Sequence, residues 1–144
     1  MSIDPSAATL IDALRSTGLR LTPQRLAILE CLAGDETHPT AQELYERLQA
    51  RFPTLSVATV YNTLAALGAH GQCRQLDMGG PSRFDPNVAP HDHAVCERCG
   101  SIRDVERVPE SGSGGEPACT LPGFEVAHVE RVYRGVCAKC ASAA

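Results

Sequence analysis

Three things are missing from this 144-residue chain. No apolar run approaches the roughly 18–20 residues that a membrane-spanning helix needs. The first residues carry Asp4 and no basic segment ahead of an apolar one, so no signal peptide is expected and a soluble, cytoplasmic protein is. An excess of positive charge is missing too: 13 Lys and Arg stand against 17 Asp and Glu. Both halves are mildly acidic, with seven Arg against nine acids through Asp85 and six Arg or Lys against eight acids after it. Bulk charge therefore gives no support for nucleic-acid binding, and any such interface must come from local geometry. One local basic stretch exists, Arg15, Arg20 and Arg25, with no acid between them. There is no internal repeat. At 43 % apolar and 21 % charged residues the composition is globular, and the length fits one domain or two small ones.

The chain changes character near residue 85. Before it the pattern is helical. Leu10, Ile11 and Leu14 share a face over Ser6–Ser16, and Gly18 ends that helix. Thr22-Pro23 is an N-cap followed by proline at the first helical position, leading into Leu26, Ile28, Leu29 and Leu32, with Gly34 as the stop. Thr40 and Glu43 form a capping box for a third helix with Leu44 and Leu48 inside. Phe52-Pro53-Thr54 breaks it. Ser56 caps a fourth helix with Val57, Val60, Leu64 and Leu67 as its apolar stripe, ended by Gly68 and Gly71. Two helices across so short a break form a helix-turn-helix. Gln72–Leu76 and Ser82–Asp85 then predict a β-hairpin around a glycine-rich turn. A helix-turn-helix followed by such a hairpin is a winged helix. The expected fold is α+β: a winged-helix domain over 1–84, a hinge over 85–90 and a small α/β domain over 91–144. Pro109–Pro122 predicts a flexible loop.

Seven cysteines are many for this length, and an odd number without a signal peptide argues against a disulfide framework. Cys96-Glu97-Arg98-Cys99 and Cys137-Ala138-Lys139-Cys140 are two CxxC knuckles. Each can place two thiolates on one metal, and together they complete a tetrahedral four-thiolate site suited to structural Zn²⁺. The spacing between the pairs exceeds that of a zinc ribbon, so a strand unit should lie between them. Redox chemistry would need a CxxC at a strand-to-helix turn in a βαβ pattern, which is absent. Cys31 falls in a helical apolar pattern and is expected in the core. Cys73 and Cys119 carry no assigned role.

Pro90-His91-Asp92-His93 precedes the first knuckle. In an extended strand His91 and His93 point to one side and Asp92 to the other. Asp85 ends the hairpin, Asp104 lies in the next strand, Ser101–Glu106, and His38 sits between the second and third helices. Three His and two Asp make a mixed nitrogen and oxygen site, suited to Fe²⁺, Mn²⁺, Zn²⁺ or Ni²⁺, and spacing does not choose between them.

Several segments together carry a resemblance: Leu21-Thr22-Pro23-Gln24-Arg25, Ser56 through Leu64, Ser82-Arg83-Phe84-Asp85, His91 through Gly100, and Tyr133 through Cys140. The chain resembles the Fur family of metal-dependent repressors, and within it is most similar to PerR-type peroxide sensors. That resemblance implies a regulatory Fe²⁺ or Mn²⁺ site on His38, Asp85, His91, His93 and Asp104. It implies a homodimer built on the second domain, double-stranded operator DNA as the partner, and peroxide as a signal read by oxidation of His38 or His91. Two departures stand out. The Ser/Gly/Pro loop replaces a dimerisation helix, leaving the strand Glu125–Val136 as the expected dimer contact. Pro90 replaces a histidine that many relatives use in a second metal site, with His128 expected to be structural.

The recognition helix is expected over Ser56–Leu67, with Thr59, Tyr61 and Asn62 facing DNA and Arg20 and Arg25 on phosphates. Three other readings stay open: an iron-, manganese- or zinc-uptake repressor of the same family without peroxide sensing, a hydrolytic metal enzyme, and a zinc-stabilised interaction module. Against the enzyme, no general base or nucleophile elbow stands beside the His/Asp set, so none is expected.

Overall fold

The structure, a computed structural model, describes residues 6–89, 91–107, 121–126 and 129–143. Pro90, Cys119, His128 and most of the stretch expected as a loop lie outside the described residues. The chain divides after Val88 into two compact units.

The first unit runs α1 (Ala7–Ser16), α2 (Pro23–Leu32), α3 (Ala41–Leu48), α4 (Val57–Ala69), β1 (Arg74–Leu76) and β2 (Arg83–Asp85). The four helix starts follow from local chemistry. The side chains of Ser6, Thr22, Thr40 and Ser56 each accept a hydrogen bond from the backbone N–H three residues on. Thr40 and Glu43 complete a reciprocal capping box. The helices enclose a core that includes Leu10, Leu14, Ile28, Leu29, Leu32, Leu44, Leu64 and Leu67, all buried. At about 2 kcal/mol per fully buried leucine, this cluster supplies most of the drive for the unit to fold. β1 and β2 pair antiparallel with Arg74 opposite Asp85, making the wing.

Two expectations for α4 need correction. Val57 does not join the buried stripe: it is 37 % exposed, and Thr63 is buried in the stripe instead. Thr63 tolerates this because its hydroxyl donates to the Thr59 carbonyl at 2.8 Å. Gly68 does not end the helix, which runs on to Ala69. A Cβ at Gly68 would stand 3.5 Å from the Cys73 carbonyl oxygen, an ordinary contact. The chain turns instead at Gly71, which has φ +68°.

The second unit holds β3 (Asp92–Cys96), β4 (Ile102–Val105), β5 (Val132–Gly135) and α5 (Ala138–Ser142). The sheet order is β4-β3-β5, with β3 antiparallel to β4 and parallel to β5. Among the described residues, the strand expected over Glu125–Val136 is present as β5 alone. Glu125 and Val126 follow a turn outside any strand. The short α5 has no helical periodicity long enough to announce it.

The link from α2 to α3 is held by one carboxylate. Asp35 accepts from the Thr37 backbone N–H at 2.7 Å and from Arg47 Nη1 at 2.7 Å. Burial opposes the charged form, yet the Thr37 donors and Arg47 outweigh it and hold the Asp35 pKa below the usual carboxylate range. A depressed folded pKa stabilises the fold above the unfolded value near 3.8, and that stability is lost as pH falls through the folded value. Asp35→Asn should therefore cost about 1 kcal/mol at neutral pH, a modest figure because Arg47 is 41 % exposed. Urea denaturation of both proteins across pH should show the gap closing below about pH 4.

Candidate metal centres and nucleic-acid interface

The parallel pairing of β3 with β5 sets Cys96 opposite Gly135, two residues ahead of Cys137. Cys99 follows in the turn after β3, Cys137 caps α5 and Cys140 lies in that helix. One sulfur from each of the four lies within 4.8 Å of all the others. Cys99 and Cys137 Sγ are 3.9 Å apart. Sulfurs at about 2.3 Å from a tetrahedral zinc would be roughly 3.8 Å apart, so the donor set fits Zn²⁺. Backbone amides already point at the sulfurs: Cys137 N–H donates to Cys96 Sγ at 3.3 Å and Cys140 N–H to Cys137 Sγ at 3.4 Å. The Cys137 amide leads the groups that hold the Cys96 thiol down to about 6, and the Ser101 hydroxyl leads those that lower Cys99. The neighbouring Cys137 sulfur pushes Cys140 up to about 12. Sulfurs this close cannot all ionise without a cation among them. A divalent ion removes that conflict, and four thiolates leave it no open position.

The second unit also gathers a second set of candidate donors. His93 stands opposite Asp104 across the β3–β4 pair. His91 Nε2 lies 3.0 Å from His93 Nε2 and 3.0 Å from Asp104 Oδ1, and His93 Nε2 lies 3.4 Å from that same oxygen. Ligand atoms about 2.1 Å from a common ion stand roughly 3.0–3.4 Å apart at octahedral or tetrahedral angles. His91 Nδ1 lies 2.6 Å from the Ala89 carbonyl, a contact in which Nδ1 donates. The tautomer is then set with the Nε2 lone pair aimed at the other ligands. Both imidazoles are buried.

The first unit pairs the remaining two candidates. His38 Nε2 lies 3.5 Å from Asp85 Oδ2, both buried. The wing brings them together: Phe84 N–H donates to the Pro39 carbonyl at 2.9 Å, Thr40 forms an isolated bridge with Arg83, and Arg83 Nη1 donates to the His38 carbonyl at 3.1 Å. His38 is the one non-glycine among the described residues with positive φ, at +56°. Asp85 also accepts from the Asn87 amide at 2.9 Å. Cys73 is buried beside Asp85, and burial followed by that carboxylate pushes its thiol up to about 12. It is an inert core thiol, while Cys31 is partly buried against the core.

Sequence reasoning missed the partners that hold these side chains and the neighbouring Asp92: the Ala89 carbonyl on His91, Arg83 on the His38 backbone, and Arg107 on Asp92. Backbone carbonyls carry no residue signature, and the two arginines lie far along the chain from what they hold.

On α4, Ala58, Tyr61 and Asn62 are exposed and Thr59 is half-buried. Tyr61 is 44 % exposed and packs edge-on against Phe84 of the wing, with ring centroids 6.0 Å apart. Arg20 is exposed, and Arg25, half-buried, donates to its carbonyl. No described helix is long and apolar enough to cross a membrane.

Known proteins resemble this chain over most of its length. A profile of the ferric uptake regulator family matches residues 16–134. The peroxide operon regulator of Bacillus subtilis is 42 % identical over 131 residues, covering 90 % of each chain. The peroxide-responsive repressor PerR of Staphylococcus aureus is 41 % identical over 140 residues, covering 96 % of this chain and 94 % of that one. The structure of the Helicobacter pylori ferric uptake regulator Fur matches with a TM-score of 0.72 over 98 % of this chain and 97 % of that one. At 18 % identity that match shows the fold alone. The peroxide-sensing PerR from Streptococcus pyogenes matches with a TM-score of 0.53 at 27 % identity, over 97 % of this chain and 95 % of that one.

Cys96→Ser should lower bound zinc from one per chain to none. Because the metal contributes folding energy, the unit after Val88 should then lose its melting transition in calorimetry while the helical unit keeps its own. Zinc retained by the variant would exclude Cys96 from the site.

Proposed function

The chain belongs to the ferric uptake regulator family, and from that premise we propose that it is a homodimeric, metal-dependent repressor that releases operator DNA when peroxide oxidises a ligand histidine. One observation carries the reading: His91 Nε2, His93 Nε2 and Asp104 Oδ1 converge at ligand–ligand distances. In this proposal His38 of the winged-helix domain and Asp85 at the start of the hinge complete the regulatory site with His91, His93 and Asp104. The segment 85–90 is the hinge, and 91–144 is the dimerisation domain. Cys96, Cys99, Cys137 and Cys140 hold structural zinc.

Mixed imidazole and carboxylate donors suit Fe²⁺ or Mn²⁺ better than the thiolate cage does. Ligands drawn from both sides of a hinge favour one domain orientation, and the bias equals the difference in affinity between orientations. Fe²⁺ held there would activate peroxide, so that one oxygen passes to an imidazole carbon, the ring gives up the two electrons, and the other oxygen leaves as water. The oxidisable groups are the imidazoles of His38 and His91. A ring that has gained an oxygen is a poorer donor, so the orientation it favoured is lost. The recognition helix presents Thr59, Tyr61 and Asn62 to the major groove, with Arg20 and Arg25 on phosphates. The regulatory role, the names of the relatives and the membership of the family support a cytoplasmic regulator rather than an enzyme.

The test loads the zinc-containing protein anaerobically with Fe²⁺, adds an equimolar amount of peroxide, and maps oxygen by peptide mass spectrometry. The expected result is one oxygen on the His38 or His91 peptide, absent with Mn²⁺, together with loss of operator binding. Unmodified histidines with DNA binding intact would make this an uptake repressor of the same family. Few basic residues also imply a shallow salt dependence of operator binding. A slope demanding about ten phosphate contacts per chain would exclude the proposed docking.

A further inference from the structure

Between the two ligand histidines sits a carboxylate that faces away from them. Asp92 is buried and, by strand alternation, points to the opposite side of β3 from His91 and His93. A buried carboxylate is costly unless it is paired and hydrogen-bonded. Asp92 Oδ1 accepts from Arg107 Nε at 3.1 Å and from the Arg131 backbone N–H at 3.1 Å. A second arm of the same guanidinium, Nη2, donates to the Val129 carbonyl. The Arg131 carbonyl in turn accepts from the His93 backbone N–H at 3.1 Å.

These bonds close a loop through three segments. Arg107 follows β4, the strand that carries Asp104. Asp92 and His93 belong to β3, and residues 129–131 lead into β5. One guanidinium therefore ties together the strand with the imidazole pair, the strand with the carboxylate opposite, and the third strand's entry. Apolar packing does not do this here, because the buried apolar residues described after Val88 are Cys96 and Ile102, at the other end of β3.

We propose that Arg107 is a positioning residue for the regulatory metal site, fixing His91, His93 and Asp104 relative to one another through its ion pair with Asp92 while touching none of them. The proposal rests on the reading of these residues as metal ligands.

The test uses the full-length zinc-loaded protein, Co²⁺ as the probe, and the double variant Asp92→Asn with Arg107→Leu. The double change leaves net charge unaltered and strands no buried ion, so neither coulombic pull on the probe nor an unpaired charge confuses the result. Zinc should stay at one per chain. Co²⁺ affinity should fall about tenfold or more, the usual effect of losing an outer partner of a metal site, and the visible Co²⁺ absorption should change shape. Asp92→Asn alone keeps an oxygen acceptor for both donors and should restore most of the affinity. Wild-type affinity and spectrum in the double variant would overturn the proposal. So would loss of zinc, which would make the pair a staple of the whole sheet. His93→Ala serves as the separate check on the ligand reading. If the unaltered protein takes up no Co²⁺ beyond its zinc, or His93→Ala takes it up equally well, the ligand reading fails and the positioning role fails with it.

Discussion

Four sulfur atoms do for the unit after Val88 what a hydrophobic core does for the helices before it. The helical unit buries a continuous cluster of leucines. The sheet unit, among its described residues, buries two apolar side chains and three polar ones in a row, His91, Asp92 and His93. Three strands of four or five residues cannot hold together on so little apolar area. Cross-linking β3 to the start of α5 through Cys96, Cys99, Cys137 and Cys140 makes the parallel β3–β5 pairing persist. That pairing in turn fixes the strand on which the imidazoles are mounted. Zinc held at one end of β3 would thus steady the strand that carries the candidate ligands at the other.

The two ends of β3 differ in hardness as well as in position. Thiolates select Zn²⁺ and other soft or borderline ions, whereas imidazole and carboxylate suit Fe²⁺ and Mn²⁺. His93 and Cys96 are an odd number of residues apart, so alternation sends their side chains to opposite faces of the sheet. A single strand can therefore present two donor sets of different character without mixing their ligands. The Asp92–Arg107 pair and the Ala89 carbonyl orient the histidine end, and backbone amides orient the sulfur end.

Much of this was legible in the residues alone, for reasons that differ from element to element. Thr22, Thr40 and Ser56 announced three of the helix starts because capping is a contact over three residues. The CxxC knuckles announced the thiolate site because each is complete within four residues. The alternation of His91 and His93 needed only the geometry of an extended strand. Longer-range features stayed hidden. The parallel partnership of β3 and β5 joins segments 39 residues apart in sequence (His93 with Val132), and no pattern in either strand states its direction. Val57 fits the apolar period but is the first residue of α4 and remains exposed, while Thr63 takes a buried place by satisfying its own hydroxyl. The Asp92–Arg107 pair joins residues 15 apart in sequence, and nothing in either segment couples them before the sheet forms.

His38 adds a constraint of another kind. Its backbone occupies the left-handed region, which β-branched residues avoid and which glycine, asparagine, aspartate and histidine adopt most readily. Its side chain lies beside Asp85, where the proposed metal would take a nitrogen donor. Glycine would relax the backbone and supply no ligand. Asparagine would relax it and offer an amide in place of an imidazole. In the proposed site the position must both tolerate a left-handed backbone and carry a donor, and histidine and aspartate are the residues that do so. A lineage that gave up the proposed regulatory metal would be left with the backbone demand alone, and glycine or asparagine would then serve as well.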